Sequence, residues 1–265
     1  MSLRQDLRVL GAFFRRDVGT ELSYRAAIFG ELVGLVFVVV EPYFLSRIFP
    51  SAEQDAYFAF VVVGLVVLVF LQANVLAITG GVRNEEITGT LEVMLATGVS
   101  GHALAVGLSA YPIVSGVIRG GLYTLIAMLL GLDIPVANWP LALAILCIGS
   151  LSFVAVGLIG AGLVFVISKA GAAVGWMVSV ATLLAGVLFP LEVLPGWLRV
   201  LSSLSPATWA LRSARAALLE GATLADEWRS LLVLALMGAA YLAIALAVLT
   251  VGMRHAKRRG RIGQY

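Results

Sequence analysis

Charged side chains are scarce in this sequence. Asp, Glu, Lys and Arg make up 12% of the 265 residues, whereas 61% of the residues are hydrophobic. A soluble domain carries about a quarter charged residues, so one water-soluble core cannot account for this much apolar surface. The apolar runs are continuous and lack the alternation of a membrane β-strand. The composition therefore indicates an all-α membrane protein.

Side chains that commonly perform chemistry are also few. The sequence has one cysteine, Cys147, two histidines, His102 and His255, and two lysines, Lys169 and Lys257. A phosphate-binding P-loop ends in Gly-Lys-Ser/Thr, and neither lysine is followed by serine or threonine. We therefore expect no ATPase site, metal cluster or Ser/His/Asp constellation in this chain. The net charge of +3 is not a signal for nucleic acid, so no nucleic-acid partner is expected.

Apolar runs of about 20 residues, the length that crosses a bilayer as a helix, occur six times. They cover residues 26–47, 57–80, 103–130, 141–167, 172–191 and 230–253. The loops between them are short, so the sequence predicts a single membrane domain over residues 1–265. The segment 192–229 is ambiguous, because it is half apolar but contains prolines and arginines.

The distribution of basic residues indicates the orientation of the spans. With six spans both termini lie on one side of the membrane, and that side carries 12 of the 18 Lys and Arg residues. Cytoplasmic loops are enriched in these residues. A seventh span at 195–219 would place the basic C-terminal tail outside. We therefore predict six transmembrane helices in the cytoplasmic (inner) membrane, with both termini in the cytoplasm.

The first 25 residues predict an interfacial helix on the membrane lipid. Leu3, Leu7, Leu10, Phe14 and Val18 recur at helical spacing, and arginines occupy another face. An ordinary basic flank of the first span is the alternative. The segment lacks the apolar stretch and cleavage site of a signal peptide, so we expect it to be retained.

The longest polar interruption in the first half of the chain is the segment 83–100. Asn84 is expected to cap a helix whose first turn holds Glu85 and Glu86, where acidic groups favour the positive helix end. The apolar residues of this helix form one stripe, namely Ile87, Leu91, Met94 and Leu95. With Glu92 the segment is net acidic, which is unsuited to anionic lipid and favours a basic groove on a partner protein. A short solvated connector is the alternative.

Two stretches of the sequence resemble one known family. Residues 86–100, Glu-Ile-Thr-Gly-Thr-Leu-Glu-Val-Met-Leu-Ala-Thr-Gly-Val-Ser, closely resemble the cytoplasmic coupling segment of ABC-type export permeases. That family moves drugs, lipids and polysaccharides, and many members have proline where this chain has Gly98. Residues 186–199, Gly-Val-Leu-Phe-Pro-Leu-Glu-Val-Leu-Pro-Gly-Trp-Leu-Arg, resemble its extracellular re-entrant region, as do residues 204–212.

The resemblance implies a transport subunit driven by another protein. Two membrane halves would pair, as two copies or as this chain with a related permease, and each would engage an ABC ATPase subunit through residues 84–97. ATP and Mg would bind to that partner. The implied coupling residues are Glu85, Glu86, Ile87, Leu91, Glu92, Met94 and Leu95. The cargo would be a hydrophobic drug, lipid or lipid-linked glycan, moved by alternating access or lateral extrusion.

Ionisable residues inside the predicted spans require partners, because each costs about 2.5–3.5 kcal/mol to insert. Glu41 and Arg119 both lie about 24 Å from the start of their spans, at about 1.5 Å per residue. We therefore predict an ion pair between them. Glu31 lies nearer the cytoplasm, and Gln72 and Asn74 lie in the inner half of the second span. These three residues could line a polar pathway, and ordinary interfacial or interhelical bonding is the alternative.

The segment 192–229 is expected to form a re-entrant outer segment before the last span. Pro190, Pro195 and Pro206 divide the region into short helices, and the second helix runs from about Ala207 to Leu219. Irregular backbone at membrane depth is tolerated only against protein or a water-filled cavity. We therefore expect the outer lid of a translocation path, with a purely structural cap as the alternative.

Two other classes of function fit the sequence less well. An ATP-independent channel or secondary transporter would predict charged residues at matching positions of two internal repeats, and no convincing repeat is present. An intramembrane enzyme would need catalytic residues that the sequence does not offer. Three Gly-x-x-x-Gly pairs support close helix packing without indicating which surface pairs, namely Gly30–Gly34, Gly116–Gly120 and Gly171–Gly175.

Overall fold

The computed structural model describes residues 3–90, 101–135, 138–166 and 170–259. Within these ranges the chain forms nine α-helices and a short 3-10 turn at Leu191–Val193, without any strand. The helices are α1 (Leu3–Ser23), α2 (Arg25–Ser46), α3 (Ser51–Ile87), α4 (Gly101–Leu129), α5 (Trp139–Val164), α6 (Ala170–Ala185), α7 (Gly196–Ser203), α8 (Pro206–Leu219) and α9 (Leu224–Arg259). The predicted all-α class is confirmed.

Five of these helices are long and apolar enough to cross a membrane. They are α2, α3, α5, α4 from Gly107 onwards and α9 as far as His255. The predicted fifth span corresponds to α6, which is only 16 residues long and ends at Ala185 instead of continuing to residue 191. The chain turns at Gly186, which has a φ of +67° that favours glycine. The six-span arrangement therefore stays a prediction, with five spans supported.

The long helices run alternately up and down. Phe70 of α3 packs edge-on against Phe153 of α5, with ring centroids 6.1 Å apart, and α5 and α9 run parallel to α3. Helices α2 and α4 run antiparallel to α3 on its other side. The bundle thus has an α3–α4 end, where α3 ends and α4 begins, and an opposite end, where α2 turns into α3.

Glycines allow the parallel helices α3, α5 and α9 to meet backbone to backbone. A Cβ atom at Gly157 of α5 would lie 2.7 Å from the Asn74 carbonyl oxygen of α3. A Cβ atom at Gly252 of α9 would lie 2.5 Å from the Gly162 carbonyl oxygen of α5. Because a side chain does not fit at either contact, these three helices form a tightly packed slab.

The helix predicted for residues 1–25 is present as α1, and it packs on the first half of α4. The Phe13 ring fills the space beside Gly107, where a Cβ atom would lie 2.8 Å from Cδ2 of the ring. One turn further along, the rings of Phe14 and Tyr111 contact each other at a tilt, with centroids 6.3 Å apart. Helix α1 is therefore attached to the bundle, and its position on a membrane surface stays a prediction.

Candidate functional site

The predicted coupling segment begins inside α3. Asn84 lies within this helix and not at the start of a new one, since its carbonyl oxygen accepts hydrogen bonds from the Thr88 amide at 2.9 Å and the Thr88 hydroxyl at 2.8 Å. The predicted N-cap at Asn84 is therefore wrong. The helix ends at Ile87, and Gly89 follows with a φ of +73°, a conformation that commonly terminates helices.

Glu85 and Glu86 consequently lie in the last turn of α3, where the helix dipole disfavours acidic groups. Each has an arginine partner. Arg16 of α1 pairs with Glu85, with Nη1 2.5 Å from Oε1, and Arg83 pairs with Glu86 at 2.9 Å. The Thr90 hydroxyl also donates to Glu85. The described part of this segment is thus a set of paired charges that ties α1 to the end of α3.

Ile87 is the apolar residue of the predicted stripe that the structure describes. Its side chain is 58% exposed at the α3–α4 end of the bundle. The other predicted coupling residues, Leu91, Glu92, Met94 and Leu95, lie outside the described residues. Their role stays a prediction.

Arg119 of α4 pairs with Glu31 and not with Glu41. Its Nε lies 2.5 Å from Glu31 Oε1, its Nη2 lies 3.1 Å from Glu31 Oε2, and Glu21 of α1 approaches to 3.5 Å. Glu41 is exposed and has no ion-pair partner among the described residues, so the predicted Glu41–Arg119 pair is wrong. The predicted pair requires α2 and α4 to begin at the same depth in the membrane. In the structure α1 packs along the first half of α4, so α2 begins beside the middle of α4 and Glu31, not Glu41, lies next to Arg119.

Gln72 and Asn74 do not face the same space. Asn74 is fully buried between α3 and α5, where its Nδ2 donates to the Phe70 carbonyl oxygen at 2.7 Å. Its Oδ1 has no hydrogen-bond partner among the described residues. Gln72 is exposed, because residues two apart on a helix point in nearly opposite directions. Glu31, Gln72 and Asn74 are therefore not brought together into one polar path.

The predicted outer segment forms two short helices, α7 and α8, which close over the end of α6. We refer to residues 186–219 as the cap segment. The hydroxyls of Ser202 and Thr208 donate to the Leu184 carbonyl oxygen at 2.6 and 3.3 Å. This carbonyl is one of the four that a helix C-terminus leaves unpaired, so the cap segment completes the end of α6. The short helices are confirmed, and their re-entrant depth stays a prediction.

Arg215 of α8 is a residue of this region whose role the sequence pattern does not indicate. Its Nη1 donates to the Gly186 carbonyl oxygen at 3.0 Å, and its Nη2 donates to those of Val187 at 2.9 Å and Phe60 at 3.2 Å. The guanidinium carbon lies 3.4 Å from the centroid of the Phe60 ring. Burial lowers the pKa of Arg215 to about 10, and Glu192 acts in the opposite direction. The group therefore stays protonated at neutral pH.

A mostly apolar groove of about 440 Å³ lies between α6, the cap segment and α9. Trp176 and Met177 of α6 line one side, Tyr241 of α9 lines the other, and Leu71 of α3 forms part of the lining. The Tyr241 hydroxyl donates to the Leu204 carbonyl oxygen at 3.1 Å, so its polar atom has a partner. Among the described residues that line the groove none is charged, which suits an uncharged apolar ligand.

An all-helical bundle with five apolar helices of spanning length defines the class, a multi-pass membrane protein. Residues 19–219 match the family model described as ABC-2 type transporter. The chain belongs to this family and is an ABC permease subunit, a transport component. The match includes the end of α1, the Glu31–Arg119 pair and the whole cap segment. A search of curated proteins finds no significant match.

Proposed function

We propose that this chain is the membrane-spanning subunit of an ATP-driven ABC exporter. Membership of the ABC-2 type transporter family over residues 19–219 is the observation that carries the proposal. The subunit lies in the inner membrane with the α3–α4 end and both termini in the cytoplasm, as the distribution of basic residues favours. ATP and Mg bind to a separate ABC ATPase subunit, which drives the export.

The ATPase subunit contacts residues 84–97, at the end of α3. Ile87 supports this placement, since it presents a large apolar side chain to the surroundings beyond the paired charges of Glu85 and Glu86. These two glutamates are already neutralised within the chain. The contact is therefore expected to depend on Ile87 and on the predicted residues Leu91, Glu92, Met94 and Leu95 more than on the acidic charge of α3.

Co-purification of the ATPase tests the coupling contact. Ile87→Asp and Glu92→Lys are expected to lower recovery of a P-loop protein, identified by peptide sequencing, together with its ATP hydrolysis. Ile48→Asp is the matched control, because Ile48 is 78% exposed at the opposite end of the bundle. Retention of the ATPase by both variants at the level of the control would contradict the assignment of residues 84–97.

Pairing of two permease subunits is expected to involve α2 and α6. At the Gly30–Gly34 pair of α2 and the Gly171–Gly175 pair of α6, an added Cβ atom would meet no atom of another described element within 4 Å. The Gly116–Gly120 pair, by contrast, is filled by Phe70 and Val66 of α3. Helix α2 is also the least covered span, 17% buried against 67% for α3. Such outward glycine pairs allow close approach of another helix.

The cargo is a hydrophobic drug, a lipid or a lipid-linked glycan. The groove beside Trp176 and Met177 supports this class, since the described residues of its lining include no charged side chain that would hold a small ion. The test is ATP hydrolysis by the reconstituted complex in the presence of a panel of phospholipids, polyprenyl phosphates and hydrophobic drugs. Stimulation by one of these is expected, whereas stimulation by inorganic ions alone would contradict the cargo class.

A further inference from the structure

We infer that Arg215 is a latch that holds the cap segment closed against α3, and that the cap segment opens together with α6 when this contact breaks. Arg215 is then a positioning residue for the export pathway. Its role in export rests on the proposed function, whereas the closure of the cap segment can be tested on the chain alone.

The contacts of Arg215 join three parts of the chain. It lies on α8, its Nη1 and Nη2 reach the Gly186 and Val187 carbonyl oxygens just beyond α6, and Nη2 also reaches Phe60 in the first turns of α3. Among the described residues, Arg215 makes the only hydrogen bond between the cap segment and α3. The remaining contacts between them are apolar packing, as in the cluster that contains Val63, Val187 and Leu211.

The chemistry of this contact suits a latch more than a permanent anchor. No carboxylate pairs with Arg215 within the described residues, and its Nε is buried without a hydrogen-bond partner. At close range the charge is therefore held by carbonyl dipoles and by the face of the Phe60 ring, while Glu192 acts on it from beyond ion-pair distance. Such a guanidinium is incompletely satisfied, so the closed position depends on fixed geometry that a small displacement of α3 can disrupt.

The position of Gly64 makes the closed contact sensitive to displacement. A Cβ atom at this residue of α3 would lie 2.5 Å from the Val187 carbonyl oxygen and 3.2 Å from Arg215 Nη2. The cap backbone thus approaches α3 directly at the point that Arg215 bridges. One added methyl group would push the cap segment away without removing the guanidinium.

The cap segment and α6 are expected to move as one unit. Ser202 and Thr208 donate to the Leu184 carbonyl oxygen, so the polar bonds at the end of α6 stay inside this unit. Ala185, the last residue of α6, is 2% exposed in the same cluster as Val63 and Leu211. Separation of the unit from α3 would therefore expose Ala185.

Thiol labelling measures this opening. In purified chain carrying Cys147→Ser, an Ala185→Cys reporter is treated with a maleimide, and its labelling rate reports how often the site opens. Adding Arg215→Met is expected to raise that rate by at least about tenfold. Arg215→Lys should give an intermediate rate, because one ammonium cannot reproduce the planar fork of donors.

A second reporter separates opening of the cap segment from general loosening. Ala161 of α5 is fully buried in a different core cluster, beside Leu249 of α9. An Ala161→Cys reporter is expected to keep its slow labelling rate in the Arg215→Met background. Equal acceleration of labelling at both reporters would show that Arg215 stabilises the whole fold, and it would overturn the latch.

A second perturbation tests the same contact without changing Arg215. Gly64→Ala is expected to accelerate labelling of the Ala185→Cys reporter. Gly80→Ala on the same helix should not, because a Cβ atom there would meet no described atom of another element within 4 Å. Slow labelling in both Arg215→Met and Gly64→Ala would overturn the proposal. That result, with ATPase binding intact, would leave the proposed function standing. Loss of the ATPase contact would instead remove the role in export and leave the labelling result unaffected.

Discussion

Arg119 on α4 and Glu31 on α2 form an ion pair with Nε and Oε1 2.5 Å apart. Glu21 on α1 lies 3.5 Å from the same guanidinium. Three helices therefore meet at one cation, and the local net charge of the three groups is negative. The side chains are each about one-third exposed within the chain, so the pair is neither fully buried nor free.

Breaking this pair should destabilise the fold by an intermediate amount. Exposed pairs contribute about 0–1 kcal/mol and loss of one partner of a buried pair costs about 3–5 kcal/mol, so we expect about 1–3 kcal/mol for Arg119→Met or Glu31→Gln. The charge-swapped variant Glu31→Arg with Arg119→Glu should recover part of the loss. Thermal unfolding of the purified protein measures these effects.

Glu41→Gln is the matched control for this prediction. Glu41 lies on the same helix and is exposed, without an ion-pair partner among the described residues. Its replacement should leave the melting temperature unchanged. A larger decrease in melting temperature for Glu41→Gln than for Glu31→Gln would instead support the Glu41–Arg119 pair expected from sequence.

Replacing Asn74 with leucine should not lower the melting temperature of the protein. Among the described residues its Oδ1 is buried without a partner, and its Nδ2 bonds only to the Phe70 carbonyl oxygen, which α3 already uses. A buried unsatisfied acceptor costs about 1–3 kcal/mol, so Asn74→Leu is expected to leave the melting temperature equal or raised. Because Gln72 is exposed, Gln72→Leu should leave it unchanged. A melting temperature lowered by Asn74→Leu would indicate a partner for Oδ1.

Substitution of a glycine that packs inside the chain should lower the free energy of unfolding, whereas substitution of a glycine that faces outward should not. Gly157→Ala forces a methyl group against the Asn74 carbonyl oxygen, and overpacking of this kind costs about 1–3 kcal/mol. A Cβ atom at Gly34 would meet no described atom of another element within 4 Å, so Gly34→Leu is expected to leave the stability of the monomer unchanged. If α2 forms part of the dimer surface, Gly34→Leu should lower the dimer fraction measured by photobleaching in nanodiscs. An unchanged dimer fraction would argue against α2.

The hydroxyls of Ser202 and Thr208 should contribute non-additively to the free energy of unfolding, because they share one acceptor at the end of α6. Ser202 and Thr208 both donate to the Leu184 carbonyl oxygen, and they contact each other at 3.2 Å. Ser202→Ala and Thr208→Val should each cost about 0.5–1.5 kcal/mol, and the double variant should cost more than their sum, because the carbonyl then loses every donor from the cap segment. Ser203→Ala is the control, since Ser203 is exposed and bonds locally to Val200. Simple additivity would indicate that water satisfies this carbonyl.

The positions of the long helices could be predicted from sequence, because apolar runs of spanning length have few alternatives in a chain with so little charge. The break at the end of α6 was harder to predict. Residues 186–191 continue the apolar pattern, and the turn depends on the left-handed conformation of Gly186 and on donors from α7 and α8. Hydropathy does not register either feature, so the predicted span extended six residues too far.

The contacts of the polar residues were less predictable than the helices. Arg119 was recognised as a group that needs a partner, but the choice between Glu31 and Glu41 depends on how far α2 is displaced along α4, which α1 determines. Arg215 was missed because its partners are carbonyl oxygens, and every residue in the sequence has one. The apolar run ends before Asn84, so the sequence predicts a new helix that begins there. In the structure α3 continues to Ile87, because the charges of Glu85 and Glu86 are paired with arginines in the folded chain.

Helix α3 has a mechanical consequence because of its length. Its 37 residues extend for about 55 Å, almost twice the roughly 30 Å of the hydrocarbon layer. A rod of this length that tilts by about 5° around its midpoint displaces each end by about 2.4 Å, in opposite directions. One end carries Ile87, whereas the Phe60 carbonyl oxygen that Arg215 holds lies about 14 Å from the midpoint on the other side, where the same tilt gives a displacement of about 1.2 Å. A push on Ile87 would thus move the Phe60 carbonyl oxygen in the opposite direction, by a distance that is large compared with the narrow range of hydrogen-bond lengths.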